Sequence, residues 1–177
     1  MKRPRYSETG WTVIWHTPDV NPDADNLGDH PLYIHDHAAL LEQCQQSLDS
    51  RVKSYPAMIA NRKIDRDDAE ADITAWQQLV AEWTWICTGT GAPPPSYTIA
   101  DRIMAVDLSL QRISQRFDQG AQGHDLYRQA HLVQALRWHL QFTDLGTPVV
   151  HHTARLTRAA RADLAAQTTP QTERKAA

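Results

Sequence analysis

The chain holds 177 residues, 41% of them hydrophobic and 22% charged, with a formal charge of −3. That length supports one ordinary domain with its own core, and the composition excludes wholesale disorder. No apolar run approaches the roughly 18 residues of a membrane span, and no apolar signal core follows the basic start at Lys2, Arg3 and Arg5, so a cytoplasmic protein is expected.

Charge is spread unevenly. Lys2, Arg3 and Arg5 lead the chain, and residues 151–177 carry Arg155, Arg158, Arg161, Arg174 and Lys175 against Asp163 and Glu173. Between these ends ten basic residues face nineteen acidic ones, which disfavours broad attachment to nucleic acid or anionic membrane. Cys44 and Cys87 make neither a metal-binding pair nor a disulfide framework, which fits a reducing compartment.

Residues 11–17 are rich in β-branched and aromatic side chains and predict a strand. A polar Asp/Asn/Pro loop follows over 18–31, and residues 32–35 predict a second short strand. Such a hairpin is marginal alone, so it is expected to pack on the helices that follow. From Asp36, a suitable N-cap, the period changes to helical: Leu41, Cys44, Leu48, Val52 and Tyr55 share a face until Pro56 kinks or ends the helix. Met58 and Ile59 extend that face by about one turn.

The second helix is expected to start at Asp65, with Asp68 completing a capping box and Asp67 and Glu70 favouring the positive end of the dipole. Its seam reads Ala69, Ile73, Trp76, Val80, Trp83, Cys87, and Gly89, Gly91 and three prolines end it. Thr98 and Asp101 form another capping box, ahead of Ile99, Ile103, Val106, Leu110, Ile113 and Phe117. A fourth helix is predicted from about Asp125 to Phe142, with Leu126, Ala130, Val133, Leu136 and Leu140 inward, and a short basic helix over 152–166.

Between Leu48 and Trp83 the chain carries Arg51, Tyr55 with Pro56, Met58 with Ile59, Lys63, Ile64 with Asp65, Ala69 with Glu70, and Ile73. In that order these residues resemble a segment of small uncharacterised bacteriophage and prophage proteins. Where those proteins often have Gly this chain has Arg62, and neighbouring Asn61 is the residue expected to take the left-handed conformation. The resemblance covers about one fifth of the chain. It implies a phage or prophage origin and a Tyr-Pro helix-turn-helix, and it transfers no catalytic residue.

Several clusters carry residue types that could support chemistry. Asp19, Asn21, Asp23 and Asp25 have the alternation of a calcium loop, but Ala24 replaces the required Gly and His30 the bidentate Glu, so a solvated loop is expected. His30, His35 and His37 gather with Asp29, Asp36 and Cys44 without matching a zinc spacing. His124, His131 and His139 are too far apart along one helix to share an ion, and no nucleophile elbow, phosphate loop or metalloprotease helix is present. No catalytic residue, metal or cofactor is expected.

Six tryptophans is a high count, and Tyr127, His131 and Trp138 share a second face of the fourth helix, an aromatic surface suited to a partner or to a wide core. The acidic patches at 19–29 and 65–72 would meet a basic partner surface.

The fold expected is mainly α, with α+β as the variant: two helical hairpins packed as a bundle over residues 1–150, a small N-terminal β element, and a basic helix and tail over 151–177. The function expected is non-enzymatic: a phage- or prophage-derived protein that binds a host protein, for instance a defence factor such as a CRISPR nuclease. Its contact residues would be Asp67, Asp68, Glu70, Tyr127 and Trp138. The alternative is a nucleic-acid-binding or regulatory protein that uses its basic ends, with Arg155, Arg158 and Arg161 on phosphates. Self-association is compatible with either.

Overall fold

The computed structural model describes residues 31–91, 99–142 and 148–168, together with the backbone of Arg5–Tyr6 and Val13–Ile14. Among the described residues five helices carry the architecture: α1 (His37–Ala60), α2 (Arg66–Thr88), α3 (Ile99–Asp118), α4 (His124–His139) and α5 (Val149–Thr168). The dipeptides Arg5–Tyr6 and Val13–Ile14 pair antiparallel, and the rest of the strand expected over 11–17 lies outside the described residues. The second expected strand is not formed. Residues 32–35 are a turn in which Tyr33 takes φ 68 and its carbonyl accepts from Asp36 N at 3.0 Å. That turn drops Ile34 into the core and delivers Asp36 to cap α1, where its carboxylate accepts from Ala39 N at 3.1 Å.

The first four helices form a ring in which each packs on its sequence neighbours and α4 closes on α1. Side-chain pairs fix the directions. Arg51 near the end of α1 meets Asp72 near the start of α2, while His37 at the start of α1 lies against Trp83 towards the end of α2. Glu82 late in α2 pairs with Arg102 early in α3, Asp107 in the first half of α3 with Arg137 near the end of α4, and His37 at the start of α1 lies 6.3 Å from His139 at the end of α4, so neighbours run antiparallel throughout. This is an up-down four-helix bundle, and α5 lies across α2 and α4.

Pro56 is accommodated inside α1, which runs one further turn to Asn61. There Arg62 takes the left-handed conformation (φ 55), while Asn61, expected to do so, stays at φ −89. The hydrogen bonds explain it: Arg62 N donates to Ile59 O and Lys63 N to Met58 O, the paired closure that places the left-handed residue one position after the cap. At α2 the boundary at Asp65 matches expectation, but Asp65 makes no side-chain cap bond and is simply extended (φ −74, ψ 152). Thr98 lies outside the described residues.

The α2 seam is turned relative to the expected one. Ala69, Asp72, Trp76, Leu79, Trp83 and Ile86 are buried, whereas Ile73, Val80 and Cys87 are half-buried. α4 ends at His139, three residues before the expected Phe142, with Leu140 as its cap. It is buried almost all round from Ala130 to Arg137; α5 packs on it in addition to α1 and α3, and Ile34 of the turn meets His139 at its end. α5 begins at Val149, three residues ahead of the helix expected over 152–166, and Val150 and Ala154 join the core. No described helix is long and apolar enough to cross a membrane.

Candidate functional site

Among the described residues three ion pairs tie the helices together from inside, two of them buried and one, Arg137–Asp107, half-buried at its carboxylate. Arg102 of α3 pairs with Glu82 of α2, and Arg137 of α4 with Asp107 of α3 at 2.8 Å. Burial raises the Asp107 pKa above the usual carboxylate value, and the Arg137 charge opposes that rise.

The third pair anchors a larger network. Arg51 Nε donates to Asp72 Oδ2 at 2.9 Å, Nη1 to Ser47 O at 3.0 Å, and Nη2 to Ser109 Oγ at 2.6 Å. Its guanidinium lies 4.5 Å from the centre of the Trp76 ring. The Tyr55 hydroxyl also donates to Asp72 Oδ2, and Arg112 Nη1 donates to that hydroxyl at 3.2 Å. Burial, reinforced by the bond to Asp72, pushes the Tyr55 pKa up and keeps it a phenol.

Above this network opens a cleft of about 390 Å³ between the α1–α2 turn, the start of α2 and one face of α3. Met58, Ile64, Ala71, Met104, Ala105 and Leu108 give it apolar walls, and Lys63, Asp68, Asp72, Asp101 and Arg112 supply charge. Two helical repeats place them: Asp68 and Asp72 are one turn apart on α2, and Asp101, Ala105, Leu108 and Arg112 follow one stripe of α3. Met104, 57% exposed, stands at the cleft as an apolar side chain in water.

Asp72 makes this cleft unusual. Its side chain is only 8% exposed, and while Oδ2 holds Arg51 and Tyr55, Oδ1 is buried with no hydrogen-bond partner. Four such side-chain atoms occur among the described residues, the others being Trp76 Nε1, Gln78 Oε1 and Arg102 Nε, and Asp72 alone of these residues lines the cleft. A buried acceptor left without a donor costs about 1–3 kcal/mol.

The expected contact residues distribute unevenly around this site. Asp68 lines the cleft, and Asp67 and Glu70 stand exposed on the same first turns of α2. Glu70 is 4.0 Å from Arg66 in an exposed pair that constrains it little. Asp72, the last carboxylate of that expected acidic patch, belongs to the interior. Tyr127 and Trp138 are elsewhere, half-buried against the core, with Tyr127 4.9 Å from the Phe117 ring and Trp138 4.9 Å from His139.

The α5 arginines are divided. Arg155 and Arg158 are exposed, but Arg158 lies over the Trp85 ring at 4.8 Å. Arg161 donates to Ile86 O and Cys87 O, carbonyls that the end of α2 leaves open, and also to Trp85 O, which accepts from Gly89 N as well. Gly89 makes that approach possible. It takes φ +72, and a Cβ there would sit 3.0 Å from Arg161 Nη1.

The histidine and cysteine clusters assemble differently from their spacing. Among the described residues no three His, Cys, Asp or Glu side chains converge as metal ligands. The acidic loop at 19–25, Asp29 and His30 lie outside the described residues. Cys44 is fully buried, which raises its thiol pKa well above the usual value, and Cys87 Sγ donates to His37 O at 3.3 Å. His131, on the second face of α4, is buried, and its pKa is lowered.

Sequence reasoning missed Arg51, Asp72, Glu82, Arg102, Asp107 and Arg137 as partners. A signal existed for two of them: Asp72 sits at a seam position, three residues after Ala69 and four before Trp76, as Arg51 does between Ser47 and Tyr55. A charge at such a position calls for a counter-charge on the facing helix. No family model, curated protein or solved structure matches the chain.

Proposed function

We propose that this is a non-enzymatic protein of phage or prophage origin that acts by binding a host protein with a basic surface, through the face made by the start of α2 and the neighbouring cleft. The observation that carries the reading is the juxtaposition of exposed Asp65, Asp67, Asp68 and Glu70 with an apolar cleft beside exposed Met104. An apolar centre with a polar rim is the anatomy of a protein interface. A carboxylate rim selects a basic partner and speeds its encounter. A nucleic-acid-binding host factor, such as a defence nuclease, presents such a surface. The origin rests on the phage-like segment, whose Met58, Lys63 and Ile64 form one side of the cleft. The alternative use of α5 on phosphates has less to draw on, because Arg161 and Arg158 already engage α2.

The test is comparative capture from bacterial lysate with wild-type chain and the triple variant Asp67→Lys, Asp68→Lys, Glu70→Lys. All three residues are exposed, so the variant should stay folded, with the unfolding temperature lowered only by the lost favourable charge at the start of α2, while losing its specific partners. Retention of the same partners would refute the reading.

A further inference from the structure

We infer that the cleft is a socket for one arginine side chain of the partner protein, its stem on the apolar wall and its guanidinium on Asp68 and the unpartnered oxygen of Asp72. This rests on the protein-binding reading and names what the partner must supply. Three observations lead to it. Asp72 lines the cleft and its Oδ1 is buried without a donor, so an occupant must part the side chains over that oxygen and then donate a hydrogen bond to it. Asp68 lies one turn before Asp72 on the same face of α2, and a planar fork of N–H donors can serve two carboxylates where a single ammonium point cannot. Ile64, Met104 and Leu108 line the way in, which suits an alkyl stem beneath a charged head.

The cations at the site leave room for another. Arg51 is committed to Asp72 Oδ2, Ser47 and Ser109, Arg112 is held on Tyr55, and Lys63 is exposed at the turn. Asp101 adds a third carboxylate from the first turn of α3. A cleft of about 390 Å³ falls at the small end of ligand-sized sites, the scale of one anchoring side chain.

The probe is n-butylguanidinium, titrated at low salt into the isotope-labelled full chain and followed by amide chemical shifts. Saturable shifts centred on Ile64, Ala71, Asp72, Met104 and Leu108 are expected, with a dissociation constant on the order of millimolar. n-Butanol, which has the stem without the charged head, should give none. Ala71→Phe adds a ring at an exposed position in the cleft wall and leaves the floor pair untouched; it should weaken binding about ten-fold or more. Asp68→Asn should weaken it about three-fold through loss of a charge-assisted bond. Absence of saturable shifts in the wild type, or undiminished binding by Ala71→Phe, overturns the socket.

The source of the guanidinium is decided by capture. Loss of the captured partners in Ala71→Phe assigns it to a partner's arginine, and unchanged capture overturns that assignment. Failure of the acidic-face reading looks different: partners then survive charge reversal at 67 and 70 alone, residues outside the cleft, while butylguanidinium still occupies it.

Discussion

His139 is held neutral by its surroundings. Its Nε2–H donates to Ile34 O at 2.9 Å, Thr153 Oγ1 approaches Nδ1 at 3.5 Å, and the rings of Trp83 and Trp138 lie with centroids 4.9 Å away. Burial lowers its pKa from 6.5 to about 4, against the smaller opposing effect of the Ile34 carbonyl. The unfolded chain therefore binds a proton between those values that the folded chain refuses. Stability from this residue is complete above about pH 6.5 and drains away as the pH falls towards 4, by on the order of 3 kcal/mol in full. His37 and His131, lowered chiefly by burial, act in the same direction. His139→Phe should lose about 1 kcal/mol at neutral pH with the hydrogen bond to Ile34. It should also flatten the slope of stability between pH 6.5 and 4 in urea unfolding. An unchanged slope would show that the acid sensitivity lies elsewhere.

At the scale of elements, α5 depends on what α2 leaves unfinished. The last turn of α2 leaves Ile86 O and Cys87 O without a backbone donor, and Arg161 reaches across to both at 2.6 Å, with a longer contact of 3.3 Å to Trp85 O. The cation also opposes the negative end of the α2 dipole. Beyond Val150 and Ala154, α5 buries little: Leu156 and Leu164 are 55% and 64% exposed. Arg161→Ala should therefore cost about 1–2 kcal/mol, since the guanidinium is half-buried and partly screened. The loss should be local. Amide exchange should quicken along α5 while the interior of α1 to α4 keeps its protection. Uniform quickening would mean that Arg161 supports the whole bundle.

Across the whole molecule, two buried ion pairs and the half-buried Arg137–Asp107 pair bridge α1 to α2, α2 to α3 and α3 to α4. Arg102 is 3% exposed, and its partner Glu82 also has His151 Nε2 at 3.6 Å. Removing one charge strands the other in the interior. Glu82→Leu should therefore destabilise by about 3–5 kcal/mol, whereas Glu82→Leu with Arg102→Met should recover much of that, because two apolar side chains of similar size need no compensation. Equal losses for the single and double variants, measured by denaturant unfolding, would show that the pair contributes packing alone.

The number of helices, their approximate spans, the Asp36 cap, the Gly89 stop and the two-hairpin bundle were legible in the sequence because they rest on local rules: apolar period, capping chemistry and breakers. The inward stripe of α4 was legible for the same reason. The α2 seam was not, since Asp72 and Glu82 read as solvent-facing until Arg51 and Arg102 are brought against them from other helices. A carboxylate's preference for water reverses only when a partner distant in sequence supplies the opposite charge. The turn at 32–35 was likewise decided by Ile34 finding the core, against its local strand propensity. The candidate site lay half in view: its acidic rim is a run in the chain, but its floor, its apolar walls and the orphaned Asp72 oxygen exist only once α1, α2 and α3 are packed.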